Sequence, residues 1–470
     1  MSVQGREGFK SSTSSEGSKR VPPDKISPIP SARYSWYVVV IMTLVYMTNV
    51  GDRYILATVV EPIKAELRVS DTYIGLLSGF SFAMLYGGFA VVVALFADRG
   101  NRRNIIAAAV FIYSVMTGAC GMAQSYTQLI LARMGVALGE SGTSPPSHSL
   151  ISDLFPPTKR TLPLSILSLG ASIGTWYGYA GGSFFAERYG WRSPFIAMTI
   201  PGLVLALLIR LTVREPERGR FDGVASETAR HIPSLAKTFA FMWSQKALIH
   251  VIIGASLINF FGYAMALWNA AFMERSLGMS IGAAGHSLGI WYALVGGNAG
   301  ILIGGYLTQI LGERDVRWHS RASGIMFLAA FVPIIYVYLL PLGWGFNLCN
   351  IALGFAMHGY LGGVFSMIQN LVAIRMRALA AAICFFFMNI IGLGFGPLAV
   401  GALSDYLTNH THLGADALRY ALLSTTLAIP WAAIHFFRAE RSLKADYRRA
   451  LDFDSSAADR ETHLQISTAQ

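Results

Sequence analysis

Two opposite charges, Asp52 and Arg53, stand in the stretch 45–54, Val-Tyr-Met-Thr-Asn-Val-Gly-Asp-Arg-Tyr, which is otherwise built for hydrocarbon. On insertion scales a charged side chain at the centre of a spanning helix costs about 2.5–3.5 kcal/mol, so it persists only against a protein interior or a wet cavity. A second pair lies in 131–142, where Arg133 and Glu140 are seven residues apart, two helical turns, and project from nearly one face. Depth counted at about 1.5 Å per residue from the middle of each apolar run places Asp52, Arg53 and Arg133 in the outer half and Glu140 slightly toward the cytoplasm. Asp52 is thereby matched with Arg133, and Arg53, reaching inward, with Glu140. Such a set can bind an anion at an arginine and exchange a proton at a carboxylate. A buried carboxylate whose partner moves away loses support for its charge and takes up a proton. Asp52 and Glu140 are both candidates for that role, with Arg133 as a charge partner. The competing reading is a permanent ion-pair network that ties two helices together. Four buried charges cost on the order of 10 kcal/mol before pairing, and apolar residues would join helices at lower cost, which favours a functional site.

Other polar positions are less specific. Asn49, Ser141, Ser144 and His358 can line a cavity, although interhelical hydrogen bonds account for most such residues in membranes. Tyr54 follows Arg53 directly, and Trp268 belongs to an aromatic set in the second half that includes Phe260, Phe261, Trp291, Tyr292, Phe355, Tyr360, Phe365, Phe385, Phe386, Phe387 and Phe395. With Arg53, the residues Asn49, Tyr54, Ser141, Ser144, Trp268 and His358 are the candidate substrate contacts. The first half carries the buried charges and the second has none until its helix ends. A cavity between them would be charged on one wall and apolar on the other, which suits a molecule with a polar head and a greasy tail.

The elements that must hold these residues are membrane helices. Of the 470 residues 53% are hydrophobic and 13% charged, against roughly one quarter charged in soluble domains, and the mean hydropathy is +0.47. Apolar runs long enough for a ~30 Å hydrocarbon core are predicted at 36–58, 73–97, 104–123, 129–150, 162–185 and 195–211. After a polar stretch they resume at 247–272, 283–311, 322–340, 345–372, 378–403 and 417–437. The expectation is an all-α membrane protein of about twelve spanning helices in two pseudo-symmetric six-helix bundles, 34–213 and 247–437. Three further segments complete the division: a disordered tail over 1–33, a central loop over 214–246 and a basic tail over 438–470.

The net charge of +11 collects in particular loops: Arg99, Arg102 and Arg103; Lys159 and Arg160; Arg314, Arg317 and Arg321; Arg375 and Arg377. Short cytoplasmic loops gather Lys and Arg, so both termini are placed in the cytoplasm, and the basic tails meet anionic lipid headgroups rather than nucleic acid. No apolar core precedes Tyr34, so no cleavable signal peptide is expected. Cys120, Cys349 and Cys384 lie in apolar runs without metal or disulfide spacing and read as reduced packing residues. Gly170, Gly174, Gly178, Gly181 and Gly182 recur at spacings near four, the pattern of close helix approach. No phosphate-binding loop, zinc-protease or nucleophile-elbow motif is present, so neither ATP coupling nor intramembrane enzymology is indicated. The expected energy source is a proton gradient, with no cofactor and no metal.

With these residues assembled, the chain resembles the major facilitator superfamily from about Tyr34 to Phe437. The run Ala97-Asp98-Arg99-Gly100-Asn101-Arg102-Arg103 is similar to the loop signature between that family's second and third helices, with Ala94 in place of its first glycine and Asn101 in place of a later one. Arg133 and Gly139 match its fourth-helix motif. The fifth-helix glycines match another, without its usual proline. Asp52-Arg53-Tyr54, Asn101-Arg102-Arg103, and Gly139-Glu140 followed by Ser149 to Pro156 resemble the Spinster branch. The resemblance implies alternating access and proton-coupled transport of lysolipids or sphingoid lipids such as sphingosine-1-phosphate by a monomer in the inner or plasma membrane. By motif, Asp98, Arg99, Arg102 and Arg103 would form a cytoplasmic gate, although the second-half counterpart has Gln309 where the first has Asp98. Three competitors remain: a carrier of small organic anions, a sensor that binds without translocating, and a channel. The scattered rather than ringed polar residues disfavour the channel.

Overall fold

The computed structural model describes residues 31–156, 159–217, 221, 234–373 and 376–468. Among them there is no strand, and twelve long helices follow one another. They are α1 (Ala32–Thr58), α2 (71–99), α3 (Arg102–Met122), α4 (126–152), α5 (161–189) and α6 (Ser193–Thr212), then α7 (Lys246–Leu277), α8 (Ile281–Arg314), α9 (Trp318–Leu339), α10 (Trp344–Asn370), α11 (377–410) and α12 (417–468). Ten of these are long and apolar enough to cross a membrane on length and hydropathy alone. The protein is therefore a multi-pass membrane protein. Shifting each helix number by six maps one half's packing on the other's: α1 on α5 matches α7 on α11, α2 on α4 matches α8 on α10, and α3 on α6 matches α9 on α12.

Most predicted runs end within a few residues of the observed helices, and the exceptions have local causes. α4 breaks after Gly142, because Pro145 and Pro146 cannot donate to the preceding turn. The backbone tightens there, Gly142 N donating to Gly139 O at 3.1 Å and Thr143 N to Glu140 O at 3.2 Å. α12 continues well past Phe437 because its charged extension is tied to its neighbours. Lys444 Nζ reaches Asp315 at 3.0 Å, and the buried Asp446 accepts from the backbone N–H of Ala247, in the first turn of α7, at 2.7 Å. Part of the predicted central loop is a helix, Leu235–Ser244, whose Ser234 side chain caps it. It exposes Leu235, Phe239 and Trp243 along one face, the spacing of an interfacial helix. Residues 1–30 and, of the central loop, 218–220 and 222–233 lie outside the described residues.

α1 and α5 touch backbone to backbone. A Cβ on Gly170, Gly174 or Gly178 would stand 2.7, 2.5 or 2.4 Å from a carbonyl oxygen of α1, and Gly182 meets Thr58 and Ile55. Gly181 faces its own helix and is not part of this seam. Gly178→Ala is expected to cost about 1–3 kcal/mol through overpacking, read as a lower unfolding midpoint in detergent. Gly181→Ala, at which the nearest atoms are 3.4 Å away, should leave that midpoint unchanged.

The halves meet through α2 with α11 and α5 with α8, at the end remote from the chain termini. A Cβ on Gly75 would lie 2.7 Å from Pro397 O, one on Gly79 2.8 Å from Gly394 O, and one on Gly285 2.6 Å from Tyr179 O. Toward the termini the same four helices expose Phe89, Phe96, Leu302, Leu307, Leu162 and Phe385. The seam is closed at one end, and at the other these side chains are exposed. Each of these four helices also contains a π-helical segment, at 76–80, 177–181, 288–297 with 300–304, and 390–395. Wide turns of this kind loosen the backbone ladder where a helix bends.

Candidate functional site

α1 and α4 place four charges side by side. Asp52 is fully buried, pairs with Arg133 Nη1 through Oδ2, and accepts from Thr117 Oγ1 of α3 at 2.9 Å through Oδ1. Arg53 gives Nε at 2.8 Å and Nη2 at 2.7 Å to one oxygen of Glu140, Oε2. These are the pairings expected from depth along the two helices. α2 covers both cations with aromatic faces: Phe82 lies 5.2 Å from the Arg53 guanidinium and 5.1 Å from that of Arg133, and Tyr86 lies 4.6 Å from Arg53. Away from water such contacts are worth about 2 kcal/mol.

The two pairs differ in access and in satisfaction. Both oxygens of Asp52 are engaged. Glu140 is also fully buried, yet among the described residues no donor reaches its Oε1, and Arg133 Nε is likewise unpartnered. An orphaned buried acceptor of this kind costs about 1–3 kcal/mol. The Arg53 side chain keeps a fifth of its surface exposed. It faces a cavity of about 160 Å³ between the halves, lined also by Tyr46, Tyr54, Ser78, Phe82 and Arg133, and from the second half by Tyr263, Leu393 and Pro397.

Of the predicted substrate contacts, Arg53 and Tyr54 line this cavity. Asn49 is buried and donates to Thr143 Oγ1 at 3.2 Å, and Ser141 Oγ bonds Leu138 O at 2.7 Å. Ser144 borders a separate void too small for a ligand, beside Thr143 and His148. Trp268 is buried within the second half, its indole N–H on Pro397 O at 2.9 Å and its ring against Gly401 of α11. His358 Nδ1 lies 2.9 Å from Gly354 O of its own helix. The aromatic that the second half does supply is Tyr263, together with residues of α11. Polarity alone could not separate it from its neighbours, since Phe260, Phe261 and Tyr263 are all plausible on an apolar helix and only rotation decides which faces inward.

A second charged cluster seals the closed end, and sequence reading missed it. Asp71, at the start of α2, receives Arg275 of α7 through Nη1 at 2.6 Å and Nη2 at 2.7 Å, Ser404 of α11 at 2.7 Å, and Lys64. Arg275 Nε also reaches Glu61 at 2.7 Å. Asp405 of α11 caps α2 from the opposite half, accepting from the backbone N–H of Asp71 at 3.0 Å and of Thr72 at 2.8 Å. The signal was a set of helix-end charges hundreds of residues apart, each of which reads singly as solvated. Beside the cluster Glu66 accepts from Trp191 Nε1 at 2.7 Å and Arg192 at 2.7 and 2.8 Å, bonds that lower its pKa to about 2. What this carboxylate contributes is complete above the ordinary carboxylate range and is lost only as pH falls toward 2.

A family model described as Major Facilitator Superfamily matches residues 42–397. The chain belongs to the major facilitator superfamily. Among its relatives is an MFS-type efflux pump of Mycolicibacterium smegmatis, 33% identical over 403 residues that cover 84% of this chain and 90% of that one. A sphingosine-1-phosphate transporter SPNS2 of Danio rerio is 26% identical over 76% of this chain and 74% of its own. Among solved structures, a bacterial homologue of the human lysosomal transporter Spinster, inward-facing and unoccupied, aligns with a TM-score of 0.78 and 28% identity over 89% of this chain and 99% of that one. As a member of the major facilitator superfamily the protein is a membrane transporter of the secondary type.

Within this superfamily fold, Arg102 ties the first half to itself. It is buried, gives Nη1 to Asp153 at 2.5 Å and Ser149 at 2.8 Å, Nε to Glu215 at 2.6 Å and Nη2 to Pro216 O at 3.0 Å. Arg103 donates its backbone N–H to Glu215 and its Nε to Asn104. Among the described residues neither arginine bridges to the second half, and the side chains of Asp98 and Arg99 lie outside them. The inter-half ion pairs among the described residues are those at the closed end. Arg275→Ala removes the bridge to Asp71 and Glu61, and the closed end should open more often. In a Cys349→Ser background, Ser78→Cys should react at least about tenfold faster with an impermeant maleimide added at that end, because charge-assisted bonds of about 1.5–3 kcal/mol each are lost. An unchanged rate would show that the cluster does not hold the halves together.

Proposed function

We propose that the protein is a proton-coupled secondary carrier of an amphipathic anion, with lysophospholipids and sphingosine-1-phosphate-like lipids as the substrate class. It would act as a monomer in the inner or plasma membrane, both termini and the end of the seam opposite the closed one facing the cytoplasm. The reading rests on one observation, the asymmetry between the two ion pairs. Asp52 is closed off with both oxygens bonded, whereas Arg53 faces the cavity and holds a carboxylate whose other oxygen has no donor. An anionic head group arriving in the cavity competes with Glu140 for the Arg53 guanidinium. Glu140, released in a dry site, takes up a proton. Anion and proton then occupy the site together, and the rocking of the halves carries both. Asp52 and Arg133 anchor the helices that position Arg53. Beyond the cavity, Tyr86 over Arg53 and Phe386 against Gly87 add apolar surface on α2 and α11 on the terminus side. That surface suits the tail.

The sphingosine-1-phosphate transporter among its relatives supports the lipid class. The volume of the cavity, about 160 Å³, favours a second reading, since pockets for whole drug-sized ligands run about 300–1,000 Å³. A compact organic anion would fit without a tail path. Uptake of a labelled lysophospholipid or sphingosine phosphate into proteoliposomes, with and without an imposed pH gradient, separates the two. Accumulation that follows the gradient supports the lipid carrier. Movement of small organic anions that lysolipid does not inhibit would replace it with the second reading.

A further inference from the structure

On the outer face of the first half, α3 and α6 run side by side toward the end that carries the chain termini. A groove of about 530 Å³ opens between them, bordered by Asn104, Ala107, Ala108, Phe111, Ala206 and Arg210. It shares no residue with the central cavity. α3 starts at Arg102 and α6 ends at Thr212, so the groove spans the first turns of one helix and the last turns of the other. At about 1.5 Å per residue that is on the order of 10 Å, which lies within one leaflet of a ~30 Å hydrocarbon core. Alanines on both helices leave its width open, and Phe111, well exposed, closes the end toward the midplane.

The other end is cationic. Arg210 is exposed and forms no ion pair among the described residues. Glu215, the carboxylate that follows α6, is already held by Arg102 Nε at 2.6 Å and by the backbone N–H of Arg103 at 2.8 Å. Arg103 Nε lies 3.1 Å from Asn104 Oδ1, which brings a second guanidinium to the same rim. By contrast Arg192 is matched with Glu66 and Arg321 with Glu440. An apolar slot inside one leaflet, ending at unmatched guanidinium charge at headgroup depth, is complementary to an anionic phospholipid.

We propose that this groove binds one anionic phospholipid of the leaflet on the terminus side, an acyl chain lying between α3 and α6 and the phosphate on Arg210, with Arg103 and Asn104 beside it. The site is independent of the transported substrate, and its test reads location rather than transport. The full-length protein is reconstituted in phosphatidylcholine vesicles containing a trace of phosphatidylglycerol with a photoactivatable acyl chain, or phosphatidylcholine with the same label. Labelled peptides are then mapped by mass spectrometry. Phosphatidylglycerol should label 104–111 and 203–210 in excess over phosphatidylcholine. Arg210→Gln should lower that excess roughly fivefold, the effect of one basic residue near an anionic surface. Ala108→Phe, at an exposed position, should remove labelling of the groove by both lipids. Equal labelling by the two probes, or an excess that survives Arg210→Gln, would overturn the proposal.

Discussion

Transport by Arg53→Ala and by Glu140→Gln should fail in two different ways. Without its guanidinium the cavity loses the one cation that faces it with part of its surface exposed. A charge-assisted hydrogen bond contributes about 1.5–3 kcal/mol, so substrate uptake at low concentration should fall roughly 10–100-fold. No change of pH should restore it. Glu140→Gln keeps Arg53 and removes the competing carboxylate, so the substrate should bind at least as well. What should disappear is the response of uptake to an imposed pH gradient. Asp52→Asn is the control, because both Asp52 oxygens are already bonded by Arg133 and Thr117, and it should keep the gradient dependence in whatever fraction folds. If Asp52→Asn uncouples transport while Glu140→Gln does not, the proton belongs to Asp52. If Arg53→Ala and Glu140→Gln both transport like the parent, the site lies elsewhere.

The largest loss of stability is expected for Arg133→Ala. Asp52 is fully buried, and without Arg133 it would keep only the Thr117 hydroxyl at 2.9 Å. Removing one partner of a buried ion pair costs about 3–5 kcal/mol, because the remaining charge is left uncompensated. Replacing both partners by apolar residues of similar volume is often neutral or stabilising, so the double variant Asp52→Leu/Arg133→Met should recover most of the loss. The unfolding midpoint in detergent, followed by intrinsic fluorescence, measures both. An Arg133→Ala protein as stable as the parent would mean that Asp52 is not charged in the folded state. A double variant no better than the single would show that the pair orders the interface of α1 and α4 in a way apolar packing cannot replace.

Much of the fold was legible because a membrane restricts it. Every spanning segment must satisfy its backbone internally, so hydropathy marks the helices, and twelve predicted runs correspond to twelve helices. The misjudged parts were those where local contacts override hydropathy: the extension of α12 held by Asp315 and by the amide of Ala247, and the Leu235–Ser244 helix in a segment read as loop. The pairing of Asp52 with Arg133 and of Arg53, reaching inward, with Glu140 followed from depth along the helices, since a charge in hydrocarbon takes the nearest opposite charge within reach. Asn49, Ser141 and Trp268 did not follow, because a polar atom on a helix can turn to a neighbour or to its own backbone as readily as to a cavity.

By itself the sequence determined that this chain is a helical membrane protein of two related halves with four buried charges of zero sum in the first. The cost of exposing polar groups to hydrocarbon makes each of those features a property of composition and spacing along the chain. Only the tertiary structure decided that Glu140 is left with an unsatisfied oxygen while Asp52 is complete, that Tyr263 rather than Trp268 faces the cavity, and that Asp71, Arg275 and Asp405 close one end. These depend on how helices distant in sequence rotate and pack against one another, and no one-dimensional count of hydropathy carries that rotation.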